Sequence, residues 1–184
     1  MQRFRRVLRK EWGSLRTLII DNNTPPEKAE GIALDIMKLT EHFELREFIF
    51  SLTAQEKGID NSIPVWQEDY VINNLRELCM YVLEPLRKIL AQPIYVSSGY
   101  RSPRLNEEVG GADNSQHLQG FAADVYTKDL SVNDEVKLNI VMAFASTKFG
   151  IPFDQLIVYD SFVHVSYVNS ASNRSMIIDK RTRK

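Results

Sequence analysis

Cysteine is nearly absent from this chain. Cys79 is the one thiol in 184 residues, so no internal disulfide can form and nothing here requires an oxidising compartment. Its place on the apolar stripe of a predicted helix marks it as a small buried hydrophobe. Long apolar runs are missing too. No stretch approaches the roughly 20 apolar residues of a membrane-spanning helix. Val7-Leu8 and Leu18-Ile19-Ile20 are too short for the core of a secretory signal, so the expectation is a protein made in the cytoplasm. Histidine is scarce, limited to His42, His117 and His164. Net charge is small, with 23 Lys and Arg against 24 Asp and Glu. Nine of those positive charges sit in residues 1–10 and 180–184, where there is no acid, which leaves 14 against 24 between residues 11 and 179. An acidic body with two basic ends lacks the continuous basic surface that phosphate binding needs, so no nucleic-acid partner is expected.

What is present suits one globular domain. Apolar residues at 43% and charged residues at 26% are ordinary for a folded soluble chain, and the length supports one hydrophobic core rather than two. Residues 1–40 read as an N-terminal helical extension. They contain Thr24-Pro25-Pro26-Glu27, a capping threonine followed by proline and glutamate. Residues 41–184 read as the working domain with a basic C-terminal tail. The strongest periodicity, from Val71 through Leu75, Leu78, Val82 and Leu86 to Leu90, predicts a helix from about Asp69 to Ala91 with a kink at Pro85. Ile94–Ser98 and Phe121–Tyr126 read as strands, and Ser102-Pro103 starts a short helix that Gly110-Gly111 ends. A helix is expected over Ser131–Phe149, closed by Gly150. Leu156–Tyr159 and Phe162–Tyr167 then form a hairpin about Asp160-Ser161, with a last edge strand at Met176–Ile178. The fold class expected is α+β: helices packed on a small, mainly antiparallel sheet.

The chemistry concentrates around two histidines. His117 stands in Ser115-Gln116-His117-Leu118-Gln119-Gly120-Phe121-Ala122-Ala123-Asp124. A histidine in a turn and an aspartate on the following strand supply neutral nitrogen and anionic oxygen, a plausible half of a metal site. Gly120 and the alanines would let the backbone pass close to the ion. His164 lies between Val163 and Val165, which alternate to the opposite face of a strand. On spacing alone, a histidine there is more often a satisfied core residue than a ligand.

The wider pattern decides between these. Ser115-x-His117-x-x-Gly120-x-Ala122-x-Asp124 is preceded by Ser98-Gly99-Tyr100-Arg101-Ser102-Pro103. It is followed by Phe153-Asp154-Gln155-Leu156-Ile157 and His164-Val165-Ser166. Together these resemble the zinc D-Ala-D-Ala carboxypeptidase family, of the lysostaphin, carboxypeptidase and hedgehog group, over roughly Phe43–Tyr167. The resemblance implies a single Zn²⁺ held by His117, Asp124 and His164, leaving an open position as catalytic zinc sites do. It implies that Arg101 faces the substrate, where a fixed guanidinium can pair with a carboxylate or an oxyanion. Ser115 is expected to hydrogen-bond within the metal loop, and Gln116 to border the pocket. The implied partners are the stem peptides of peptidoglycan. His42 falls outside every motif and is expected to be structural or exposed.

One position departs from the family. A glutamate usually stands three residues before the last histidine ligand and serves as general base; Ser161 stands there instead. The nearest carboxylate is Asp160, which shares a strand face with His164 but is also an ordinary turn residue. Asp154 and Tyr159 are weaker candidates. Two settings fit an enzyme of this kind without a leader: a phage-type lysin or virion-associated wall enzyme, and a carboxypeptidase exported by an unusual route. The alternative is a non-catalytic binding or structural protein that keeps the peptidase fold, docked on a partner through residues 1–40.

Overall fold

In the computed structural model, residues 37–127, 134–145 and 149–182 are described. Most of the expected N-terminal extension, including the Thr24 helix start, lies outside them. Residues 37–40 are tied into the body. Lys38 bridges Glu44, Leu45 N–H donates to the Met37 carbonyl at 2.8 Å, and Leu39 is buried.

The apolar period beyond residue 68 produces a continuous helical column. It begins with a 3₁₀ turn at Val65–Gln67, continues as α3 (Glu68–Leu78), passes through a π turn at Cys79–Leu83 and ends as α4 (Glu84–Leu90). Two short helices, α1 (Leu45–Ile49) and α2 (Leu52–Lys57), precede it. The π turn is where the expected kink at Pro85 is absorbed. Proline brings no N–H to the ladder, and Glu84 just before it donates to the Cys79 carbonyl five residues back. Val71, Leu75, Leu78, Cys79, Val82, Leu83 and Leu86 are all fully buried on one face. Each large apolar side chain buried this way contributes about 1.5–3 kcal/mol.

That face packs on a five-stranded sheet of order β1-β2-β4-β3-β5: β1 (Tyr95–Ser98), β2 (Ala122–Tyr126), β3 (Gln155–Val158), β4 (Val163–Ser166) and β5 (Met176–Asp179). All pairs are antiparallel except β3 with β5. The α+β expectation holds, and β5 is the edge strand foreseen. Tyr159 N–H donates to the Phe162 carbonyl at 3.0 Å, closing the β3–β4 hairpin on Asp160-Ser161 as expected. Between β1 and β2 lie α5 (Pro103–Glu108), capped by the Ser102 hydroxyl, and a 3₁₀ turn at Gln116–Gln119. The helix after β2 is described over Asp134–Ala145 (α6), and Ile140 and Phe144 from it enter the core.

Strand alternation separates the two faces of the sheet. Val163, Val165, Leu156 and Val158 are buried in the helix-covered core. The residues between them point the other way. In register, Asp124 is paired with Ser98 on one side and with His164 on the other, and His164 in turn with Ile157. One row across the middle of the sheet therefore presents a hydroxyl, a carboxylate and an imidazole on the face that the core does not use.

Candidate metal centre

The 3₁₀ turn at Gln116–Gln119 carries His117 over this row. Gly120 ends the turn at φ +74, and a Cβ there would lie 2.8 Å from the Val71 carbonyl of α3, so only glycine fits. The close approach that the sequence suggests at Gly120 is thus to a helix, not to an ion. A second glycine matters for the same reason. At Gly99 a Cβ would meet the Phe48 carbonyl at 2.5 Å, and the carbonyl of Gly99 itself receives His117 Nδ1 at 2.6 Å. That bond fixes the ring: with Nδ1–H donating to the carbonyl, neutral His117 presents the Nε2 lone pair to the cluster.

Three ligand atoms converge there. His117 Nε2 lies 3.1 Å from His164 Nδ1 and 3.3 Å from Asp124 Oδ1, and His164 Nδ1 lies 2.9 Å from Asp124 Oδ1. Zinc bonds of about 2.0–2.2 Å at tetrahedral angles separate neighbouring ligand atoms by about 3.3 Å, so this triangle needs almost no adjustment to receive the ion. His117 turns Nε2 toward Asp124 Oδ1, 3.3 Å away. Among the described residues this is the one His/Cys/Asp/Glu group close enough to share a metal. Two nitrogens and one oxygen are a zinc donor set with a position left open.

Arg101 completes the support. Its Nη2 donates to Asp124 Oδ2 at 2.6 Å and its Nε to Ser98 Oγ at 2.9 Å. Its backbone N–H donates to the His117 carbonyl at 3.1 Å. Arg101 therefore orients the Asp124 carboxylate. Burial alone would raise the Asp124 carboxyl, but the adjoining imidazoles outweigh it and hold the group far below its ordinary 3.8. Burial lowers His117 below 6.5, with the charges of Arg101 and His164 acting in the same direction and Asp124 against them. Both shifts keep the ligands deprotonated, as metal binding requires.

These directions fix a pH dependence. In metal-free protein both groups bind fewer protons folded than unfolded. The His117 contribution is present above 6.5 and is lost as pH falls below it; that of Asp124 is present above 3.8 and is lost below that. The melting temperature of metal-free protein is therefore expected to fall as pH drops from about 7 to 4. A melting temperature that rises on acidification contradicts the assignment.

The other residues foreseen from the sequence are distributed as follows. The Ser115 hydroxyl makes no cap bond; its backbone carbonyl instead receives Leu118 N–H at 3.1 Å. Gln116 donates its amide to Asp154 Oδ2 at 2.9 Å. Asp160 is outside the ligand cluster. Its exposed carboxylate accepts from the backbone N–H and hydroxyl of Thr182, beyond the end of β5. His42 is part-exposed and bonds Glu84 at 2.8 Å, and Cys79 is fully buried; both match expectation.

A further group was not legible as a unit. Asp154, at 1% exposure, receives Arg174 through Nε, Nη2 and the backbone N–H, as well as the Gln116 amide. The Arg174 hydrogen bonds hold its carboxyl below the ordinary carboxylate value. This pairing anchors the residue next to His117 to the start of β3. It consumes the carboxylate that Asp154 would need as a base. Twenty positions of sequence separate the partners, so only the strand crossing from β4 to β5 brings them together.

Comparison with known proteins agrees with the geometry. Over 47 residues, 25% of this chain and 18% of the relative's length, the protein is 45% identical to a zinc D-Ala-D-Ala carboxypeptidase of Streptomyces albus G. The chain thus spans well under two thirds of that relative. A family model described as Peptidase M15 matches residues 41–166, which include all three candidate ligands and Arg101. The match covers more than half of the sequence: the chain belongs to the peptidase M15 family.

Proposed function

We propose that this protein is a zinc-dependent peptidase that hydrolyses D-alanyl peptide bonds in bacterial peptidoglycan. The observation that carries the proposal is the triangle of His117 Nε2, His164 Nδ1 and Asp124 Oδ1, sized for zinc. The relative named as a zinc D-Ala-D-Ala carboxypeptidase supports the substrate class.

His117, Asp124 and His164 would hold the zinc, which would supply Lewis-acid chemistry to polarise a scissile carbonyl and to lower the pKa of a water to about 7. The protein's own part is positional. His117 is locked by Gly99, and Asp124 by Arg101, so neither ligand must reorganise during turnover. Arg101 offers its remaining N–H groups to a substrate carboxylate or to the oxygen that gains charge on the scissile carbonyl. Asp160 is proposed as the group that takes the proton, a role that requires it to give up Thr182.

Zinc-loaded protein is expected to cleave wall peptides and His117→Ala to cleave none. Asp160→Asn is expected to keep its zinc while hydrolysis falls by about 100-fold or more. Zinc retained in the parent chain with no turnover on any wall peptide would favour the second reading, a non-catalytic wall-binding protein. Ser161 at the family's usual base position is the observation behind that reading. Release of free D-alanine from soluble peptides indicates a carboxypeptidase, and clearing of isolated sacculi an endopeptidase. The setting we favour is a phage-type lysin, with residues 1–40 as its docking segment.

A further inference from the structure

The chain from Asp60 to Tyr70 crosses the rim of the metal centre and is fastened at both ends to the loops that build it. At its start, Asn61 donates to the Tyr100 carbonyl at 3.1 Å and accepts from Ser102 N–H at 2.7 Å, on either side of Arg101. At its end, the Tyr70 hydroxyl donates to Gln119 Oε1 at 3.1 Å, and Asn74 donates to the Gln119 carbonyl at 2.8 Å, two residues from His117. Tyr70 also stands edge-on to Phe121 at 6.0 Å. Ile63 is packed against the core, and Pro64 then turns the chain outward.

Between these anchors two apolar side chains face solvent while Glu68 is buried. Val65 is 85% and Trp66 81% exposed, and Phe50, just after α1, and Leu52, at the start of α2, are also exposed. Beside them runs an open groove of about 400 Å³, lined by Ile49, Phe50, Ala54, Asn61 and Ser62. A lone exposed apolar residue means little, but several at one rim with amides and hydroxyls among them mark a binding surface. The charge of the segment narrows the occupant. From Gly58 to Leu75 there are two exposed acids, Asp60 and Asp69, and neither lysine nor arginine. Such a rim repels anionic polymers and lipid headgroups.

We infer that Trp66 and its neighbours form a glycan subsite, which holds the sugar strand of the wall polymer while an attached peptide enters the metal centre. A polymeric substrate does not end at the scissile bond, and a segment fastened to both loops of the centre is placed to meet what continues beyond it. An uncharged pyranose ring has an apolar C–H face for the Trp66 indole and hydroxyl edges for Asn61 and Ser62. The inference rests on the peptidase reading for the identity of the polymer.

The test compares Trp66→Ala with Met142→Ala, an exposed apolar control on α6. Zinc-loaded protein is assayed for sedimentation with peptide-stripped glycan strands whose freed lactyl carboxyls are amidated, and for rates on sacculi and on sugar-free stem peptide. Trp66→Ala is expected to weaken glycan binding about 10-fold and to lower the ratio of sacculus to stem-peptide rates by a similar factor. Trp66→Phe is expected to recover part of both losses, and the control to match the parent chain. Parent protein that fails to bind stripped glycan overturns the subsite, as does Trp66→Ala with binding and rate ratio intact. Dimerisation of the parent chain that Trp66→Ala abolishes, without glycan binding, assigns the surface to a second copy instead. Glycan binding that depends on Trp66, in protein with no turnover on either substrate, would sustain the subsite and sink only the peptidase reading.

Discussion

Replacing Asp124 with alanine is expected to abolish zinc binding and, with it, all hydrolysis. The carboxylate does three jobs at once. Its Oδ1 is the proposed ligand atom, within 3.3 Å of both imidazole nitrogens, its Oδ2 holds Arg101, and its backbone sits in the strand pairing that aligns it with His164. Loss of a residue that merely supports a ligand costs about 10–100-fold in metal affinity; removing the one anionic ligand costs more. The variant also strands Arg101, whose side chain is only 15% exposed, without its carboxylate. To separate ligand loss from unfolding, Asp124→Asn keeps the shape and removes the charge. Zinc added at 100 times its dissociation constant should stabilise the parent chain by about 2.7 kcal/mol. Neither variant should gain this. An Asp124→Ala protein with zinc and full turnover would place the metal elsewhere.

The second large effect belongs to Arg101. Lysine in its place keeps the charge but cannot serve Ser98 Oγ and Asp124 Oδ2 from one planar fork. For Arg101→Lys, zinc affinity is expected to fall about 10-fold or more through the freed carboxylate. Turnover at saturating zinc is expected to remain about 100-fold low, because the group facing the developing charge has moved. The two losses distinguish its roles. If restoring zinc restores full activity, Arg101 only orients Asp124; if neither changes, it does not belong to the site. The ratio of KM to kcat effects on substrates with free and amidated carboxyl ends identifies which substrate group it meets.

Much of this arrangement was readable from residue order. Periods of 3.6 placed the long helix, alternation turned Val163 and Val165 inward and His164 outward, and Ser102-Pro103 marked a helix start. Those signals are local, since each depends on side chains a few positions apart. Other features depend on contacts that no local pattern encodes. Gly120 looked like a concession to the ion, yet it serves the packing of the turn against Val71. The grip of Asp154 on Arg174 and Gln116 joins three separate segments. Asp160 shares strand parity with His164 but lies at the hairpin tip, where the chain beyond β5 claims its carboxylate.

Elemental mass spectrometry of the purified protein, with His117→Ala measured alongside, tests the metal centre most directly. One zinc per chain, lost in the variant while the fold persists, is the expected result. A folded parent protein that carries no zinc and takes up none when it is supplied would contradict it.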